Sequence, residues 1–219
     1  MLTRVLVAIN VIVYFFEQFV WGLDPDSLYA HGGQYGPVLT DGQWWRILTS
    51  AFLHGGTMHI LFNMIALFQV GTFVELIYGT SRMAVIYFLA AIGGGIAVSI
   101  FSPDVVTIGA SGAIFGLFGA LAIAGLRLGA RGRSIMQQTT GIIVINLAIS
   151  LWPGSNISIA DHIGGLIVGT LCGLVLFRIP RPRVPVAQPN GPGYAQRIGP
   201  DPSAVTIEHA PSGESSPNP

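Results

Sequence analysis

The chain has 219 residues, of which 51% are hydrophobic and only 9% charged, a balance too apolar for a soluble domain of ordinary makeup. Its ten basic residues, all Arg, offset ten acidic ones, so the charge gives no sign of a nucleic-acid partner. The single cysteine, Cys172, excludes an internal disulfide and argues against a cysteine-based metal site.

Apolar runs of bilayer-crossing length recur along the chain. The first, Leu2–Trp21, follows directly on Met1 and lacks a small-residue cleavage site, as expected of a retained span rather than a removed signal. A long stretch from Gly22 to Gly56 comes next, carrying Asp24-Pro25-Asp26, Gly32-Gly33 and Trp44-Trp45-Arg46. It is too polar for hydrocarbon yet rich in aromatics, which predicts a loop resting at the membrane interface. Further spans are predicted at Thr57–Tyr78, Met83–Phe101, Ser111–Leu126, Ile135–Trp152 and Ile157–Ile179. The expectation is therefore an all-α membrane protein, a six-transmembrane-helix bundle with a long interfacial first loop, in domain 1–179. Residues 180–219 are Pro-, Gly- and Ser-rich, a composition that buries little apolar surface, and are predicted to be a disordered cytoplasmic tail.

Six spans put both termini on one side. If that side is the cytoplasm, its segments hold nine Arg residues, and only Arg46 lies opposite. This bias predicts cytoplasmic termini. Spans two, four and six then all run inward from the exterior face, so His59, Asn63, Ser111 and His162 sit within the first turns of three neighbouring helices. At about 1.5 Å rise per residue they lie roughly 3–10 Å below the exterior helix ends.

Ser111 stands between Gly109 and Gly112, where a helix is expected to begin. Two readings suit that pattern. A hydroxyl flanked by glycines at a helix start can serve as a nucleophile, with free first-turn N–H groups near a developing oxyanion. The same small residues also suit close packing of membrane helices, and a lone intramembrane His or Asn often serves only to bond helices together. The glycine spacing joins the two readings: Gly112 and Gly116 in span four, and Gly165, Gly169 and Gly173 in span six, repeat every fourth residue. Contact along those faces would bring Ser111 to His162, a nucleophile and a general base. His59 and Asn63, four apart on one face of span two, could aim hydrogen-bond donors at one point, as an oxyanion hole requires.

The Gly109-Ala110-Ser111-Gly112 stretch resembles the GxSG signature of the rhomboid intramembrane serine proteases. Trp45-Arg46, His54, His59 with Asn63, Glu75, and His162 followed by Gly164-Gly165 resemble the family pattern in order and spacing over about 1–179. The resemblance implies a Ser111–His162 dyad and an oxyanion hole of His59, Asn63 and the Ser111 backbone N–H. Gly109, Gly112, Trp45, Arg46, His54 and Glu75 would be supporting residues. It further implies transmembrane protein substrates in the lipid bilayer, cut near the exterior face, with no cofactor or metal. The location implied is a multi-pass protein of a bacterial cytoplasmic membrane, its active site opening to the exterior. Span five and its Trp152-Pro153-Gly154 loop are the expected gate for substrate entry.

One residue departs from the family pattern. A small residue, commonly Ala, usually precedes the His, and here it is Asp161. Adjacent helical residues point about 100° apart, so Asp161 is expected outside the dyad, as a charge at the helix start facing water or as an electrostatic neighbour of His162. Three rival readings stand beside the protease. A catalytically inert rhomboid-like binding factor would be expected to lack the Ser or His. A channel or transporter would be expected to carry mid-bilayer carboxylates, but Glu17 and Glu75 fall near span ends. A metalloprotease would be expected to show His-Glu-x-x-His, which is absent.

Overall fold

The computed structural model describes residues 1–151 and 157–178. Helix α1 (Leu2–Phe16) runs on through a π-helical turn at Glu17–Trp21. The first loop folds two short helices, α2 (Pro25–Ala30) and α3 (Arg46–Thr49). There follow α4 (Thr57–Tyr78), α5 (Thr80–Phe101), α6 (Ser111–Arg127), α7 (Arg133–Ser150) and α8 (Ile159–Leu176). No strand occurs among the described residues; a lone antiparallel bridge joins Gln34 in the first loop to Thr107 before α6.

Local chemistry accounts for several boundaries. Asp24 caps α2 by accepting from the Ser27 amide at 2.9 Å, with Pro25 pre-set in the first turn. Between α4 and α5 a single residue, Gly79 at φ +84°, reverses the chain through a conformation costly for any residue with a Cβ. Near the C-terminal end of α4, Glu75 reaches across to the start of α1. It accepts from the Leu2 amide at 2.7 Å, the Thr3 amide at 3.0 Å, the Thr3 hydroxyl at 2.7 Å and the Thr80 hydroxyl at 2.9 Å. Those amides are among the N–H groups that a helix start leaves unpaired, so Glu75 serves as a cap supplied by another helix.

The tightest packing is among α5, α6 and α8, and glycine makes it possible. On α8, a Cβ added at Gly165 or Gly169 would overlap the backbone of Gly112 or Gly116 on α6, and one at Gly173 would come 2.8 Å from Ala120 Cα. On the α5 side, Gly93 and Gly164 meet backbone to backbone. Helices this close gain dispersion contacts along their whole length, the driving force for association in lipid. Around this seam pack Leu67, Met83, Ile86, Tyr87 and Leu117, all fully buried.

The expected spans one, two and four recur within a residue of their predicted bounds, and α5 starts three residues early, at Thr80. Among the described residues four helices are long and apolar enough to cross a membrane: Leu2–Trp21, Thr57–Tyr78, Thr80–Phe101 and Ile159–Leu176. The shorter α6 is apolar as well. The predicted fifth span is the exception. Helix α7 forms over Arg133–Ser150, but Gln137, Gln138, Thr139 and Thr140 make its first half polar, and it does not join that set. It leans on α6 and touches α8 little. The predicted gate loop Trp152-Pro153-Gly154 and the tail at 180–219 lie outside the described residues.

Candidate active site

Ser111 opens α6, and the residues before it fix where that helix starts. Gly109 takes φ +119° while its amide donates to the Ser50 carbonyl at 2.9 Å. Glycine is required here on two counts, the dihedral and the space, because a Cβ would come 2.7 Å from His59 Nε2. The same point lies 3.7 Å from Ser111 Oγ. Gly109 thus separates the imidazole of His59, on the first turn of α4, from the serine hydroxyl.

The α6–α8 seam brings the start of α8 to the same corner. Ser158 caps α8, its side chain accepting from the Asp161 amide at 3.3 Å. His162 is buried and lies against α6, stacked on the Phe115 ring with centroids 4.1 Å apart and planes 17° apart. Phe115 is one turn beyond Ser111, so a single face of α6 carries both the hydroxyl and the ring that fixes the imidazole plane. Neither Phe115 nor this stacking was anticipated. An aromatic four residues after the serine was the available signal.

Asp161 overturns the expectation of a charge facing water. It is 8% exposed, and Ser111 Oγ donates to its Oδ2 at 3.1 Å. The 100° separation from His162 holds, but it was applied to α8 alone, and α8 is flanked on both sides. Gly94 of α5 and Gly112 of α6 leave a hollow into which the carboxylate turns; a Cβ at Gly112 would lie 2.7 Å from Asp161 Cγ, and one at Gly94 3.2 Å away. The Gly93-Gly94-Gly95 run in span three was the unread sign that α5 takes part.

Asn63 lies one turn below His59 and is buried, but its amide nitrogen donates to the His59 carbonyl at 2.9 Å. One donor hydrogen is therefore spent along its own helix, and a second remains on the amide. Behind His59, His54 is fully buried; its amide donates to Glu17 Oε1 at 2.8 Å, and its ring meets His59 edge to face at 5.1 Å. Burial, helped by the neighbouring His59, pushes the His54 imidazole down to about 3 from an ordinary 6.5, so at neutral pH it carries no charge. Glu17, fully buried at the end of α1, is a further polar residue not placed beforehand.

Three of the expected supporting residues make contacts with groups other than Ser111 and His162. Arg46 pins the first loop: it donates to the carbonyls of Tyr29 and Gly33 and to Gln43 Oε1, and its guanidinium sits 4.0 Å over the Tyr29 ring. Trp45 is 46% exposed and packs edge to face on Trp44. Glu75 is sixteen residues along α4 from His59, roughly 24 Å away at helical rise. Among the described residues no group of three or more His, Cys, Asp or Glu is arranged to hold a metal ion.

Helices of this length and apolarity, packed on glycine seams, define an integral membrane protein of all-helical type. The family model of the Rhomboid domain matches residues 41–179, and the chain belongs to that family. It is similar to Rhomboid protease GluP of Bacillus subtilis, 39% identical over 180 residues, covering 80% of this chain and 34% of that one. RHOMBOID-like protein 2 of Arabidopsis thaliana is 34% identical over 169 residues, 75% of this chain and 53% of the relative. Rhomboid-like protease 1 of Toxoplasma gondii is 28% identical over 187 residues, 80% and 64% of the two chains. The chain thus spans less than two thirds of the length of each of these relatives.

Proposed function

We propose that this protein is an intramembrane serine endopeptidase that cleaves transmembrane segments of other membrane proteins near the exterior face. The observation that carries the reading is the glycine seam between α6 and α8. It sets the Ser111 hydroxyl 3.1 Å from the residue that precedes His162 in the same helical turn. Membership of a family with members named as proteases adds to it.

In this reading Ser111 Oγ attacks the scissile carbonyl carbon while its proton passes to a ring nitrogen of His162. The carbonyl oxygen becomes an oxyanion, met by the Ser111 backbone N–H, His59 and the remaining donor of Asn63. Collapse breaks the C–N bond, and the imidazolium proton goes to the leaving amine nitrogen. Water then attacks the acyl ester, giving its proton to His162, and the imidazolium returns that proton to Ser111 Oγ as the C–Oγ bond breaks and the acid leaves. Stacking on Phe115 limits the imidazole to in-plane reorientation during these transfers.

The six spans of this reading are α1 with its π-helical turn and α4 to α8, of which α7 is the least apolar. The arginine distribution supports cytoplasmic termini, with the starts of α4, α6 and α8 at the exterior. Substrates come sideways from lipid past α7, which touches α8 little, and must unwind locally to present a carbonyl. Cleavage of a purified transmembrane reporter by the wild-type protein, and its loss in Ser111→Ala and His162→Ala, tests this function. Near-native turnover by either variant would refute the dyad.

A further inference from the structure

The Ser111–Asp161 contact is more than a Ser–His pair requires. A serine hydroxyl has one proton to donate, and in this structure it goes to Asp161 Oδ2. The acceptor is held from three sides. Its own backbone amide bonds to the Ser158 side chain, its carboxylate fills the hollow left by Gly94 and Gly112, and it is 8% exposed.

Resting on the endopeptidase reading above, we propose that Asp161 is an active-site residue that sets the resting direction of the Ser111 hydroxyl. It holds the proton away from His162, so Ser111 becomes a nucleophile only when that hydrogen bond is exchanged for one to the imidazole. The chemistry gives the sign of the effect. A hydroxyl donating to a carboxylate forms a charge-assisted bond, about twice as strong as a neutral one. During attack the Oγ–C bond forms and the Oγ proton moves to the His162 nitrogen. Ser111 Oγ then has only lone pairs to turn toward Asp161, and negative charge develops on the neighbouring carbonyl oxygen. A contact that is attractive in the ground state becomes repulsive in the transition state. Interactions of that kind slow the chemical step and leave substrate affinity unchanged.

The test compares the full-length wild type with Asp161→Ala and Asp161→Asn in one detergent. It measures the rate of fluorophosphonate labelling at Ser111, kcat and KM for a transmembrane reporter, and the thermal midpoint. Labelling rate and kcat are expected to rise about tenfold in Asp161→Ala, the scale of one charge-assisted hydrogen bond, with KM unchanged. Asp161→Asn should fall between, because its amide oxygen is a neutral, weaker acceptor. A merely structural Asp161 would instead lower rate and midpoint together. Should Asp161→Ala fail to fold, the near-isosteric Asn variant carries the comparison. Equal or slower labelling of the folded variants, with wild-type Ser111 labelled, overturns the inference and leaves the endopeptidase reading intact. Failure of Ser111 to label or cleave in any of the three proteins overturns that reading and the inference with it.

Discussion

Glu75 and Asp161 are both carboxylates buried where helices meet, and they are held in opposite ways. Glu75 accepts four hydrogen bonds from groups that have no other partner to seek: two α1 amides and two threonine hydroxyls. Asp161 accepts from the hydroxyl of Ser111, the group proposed to do chemistry. The far end of α4 is thus a saturated polar joint, while at the start of α6 the serine hydroxyl itself is the donor. Disturbing the first should cost stability and leave the chemistry in place; disturbing the second should do the reverse.

The sharpest separation is expected from Ser111→Ala, which should reduce reporter cleavage by about 10⁴-fold or more while shifting the thermal midpoint little. His162→Ala should be equally inactive. A Ser111→Ala protein that melts as early as a core mutant would erase the contrast between the two ends. Next in size is Glu75→Ala, which leaves the start of α1 uncapped and its donors buried, at a cost of roughly 3 kcal/mol. Denaturation in mixed micelles should show the loss. Surviving Glu75→Ala protein, measured below its transition, should retain a kcat within about twofold of wild type. That bound follows from the roughly 24 Å separating Glu75 from the site.

Asn63→Ala belongs to the Ser111 end but should be milder. One of its donors is already bonded to the His59 carbonyl, and the Ser111 amide and His59 remain, so a kcat reduction of about tenfold is expected, below the usual cost of losing an oxyanion donor. A rise in KM at constant kcat would make Asn63 a substrate-binding residue instead.

The smallest effect concerns His54, which lies behind the site and is neutral in the folded protein. Its folded pKa of about 3 is below the unfolded 6.5, so the unfolded chain takes up the proton first as pH falls. The stability His54 contributes is present above pH 6.5 and is lost progressively from there toward about 3. Thermal midpoints across that range should decline, and less steeply in a His54→Gln variant. Parallel curves for the two proteins would show that other groups dominate the acid response.

How much of this was legible in the sequence followed from what each signal reports. Apolar run length is a one-dimensional property, and it located α1, α4 and α6 closely. Helix α7 was harder, because its polar first half and apolar second half average to an ambiguous span. The four-residue glycine repeats predicted the α6–α8 contact, since a helix has only one face on which such repeats fall. Asp161 was misread because the geometry used was that of a single helix. Its environment depends on Gly94 and Gly112, two glycines on two other helices whose opposition appears only in the packed bundle. Arg46 shows the same limit from the other direction. Its motif was recognised, but its partners Tyr29, Gly33 and Gln43 are contacts internal to the first loop, which the motif alone does not reveal.

The central claim, that Ser111 is a nucleophile served by His162, is tested most directly by a fluorophosphonate probe on the detergent-purified protein, with the adduct mapped by peptide mass spectrometry. The account predicts one adduct, on Ser111, formed in the wild type and absent in His162→Ala at equal folding. Labelling of another residue, or equal labelling of Ser111 with and without His162, would contradict it.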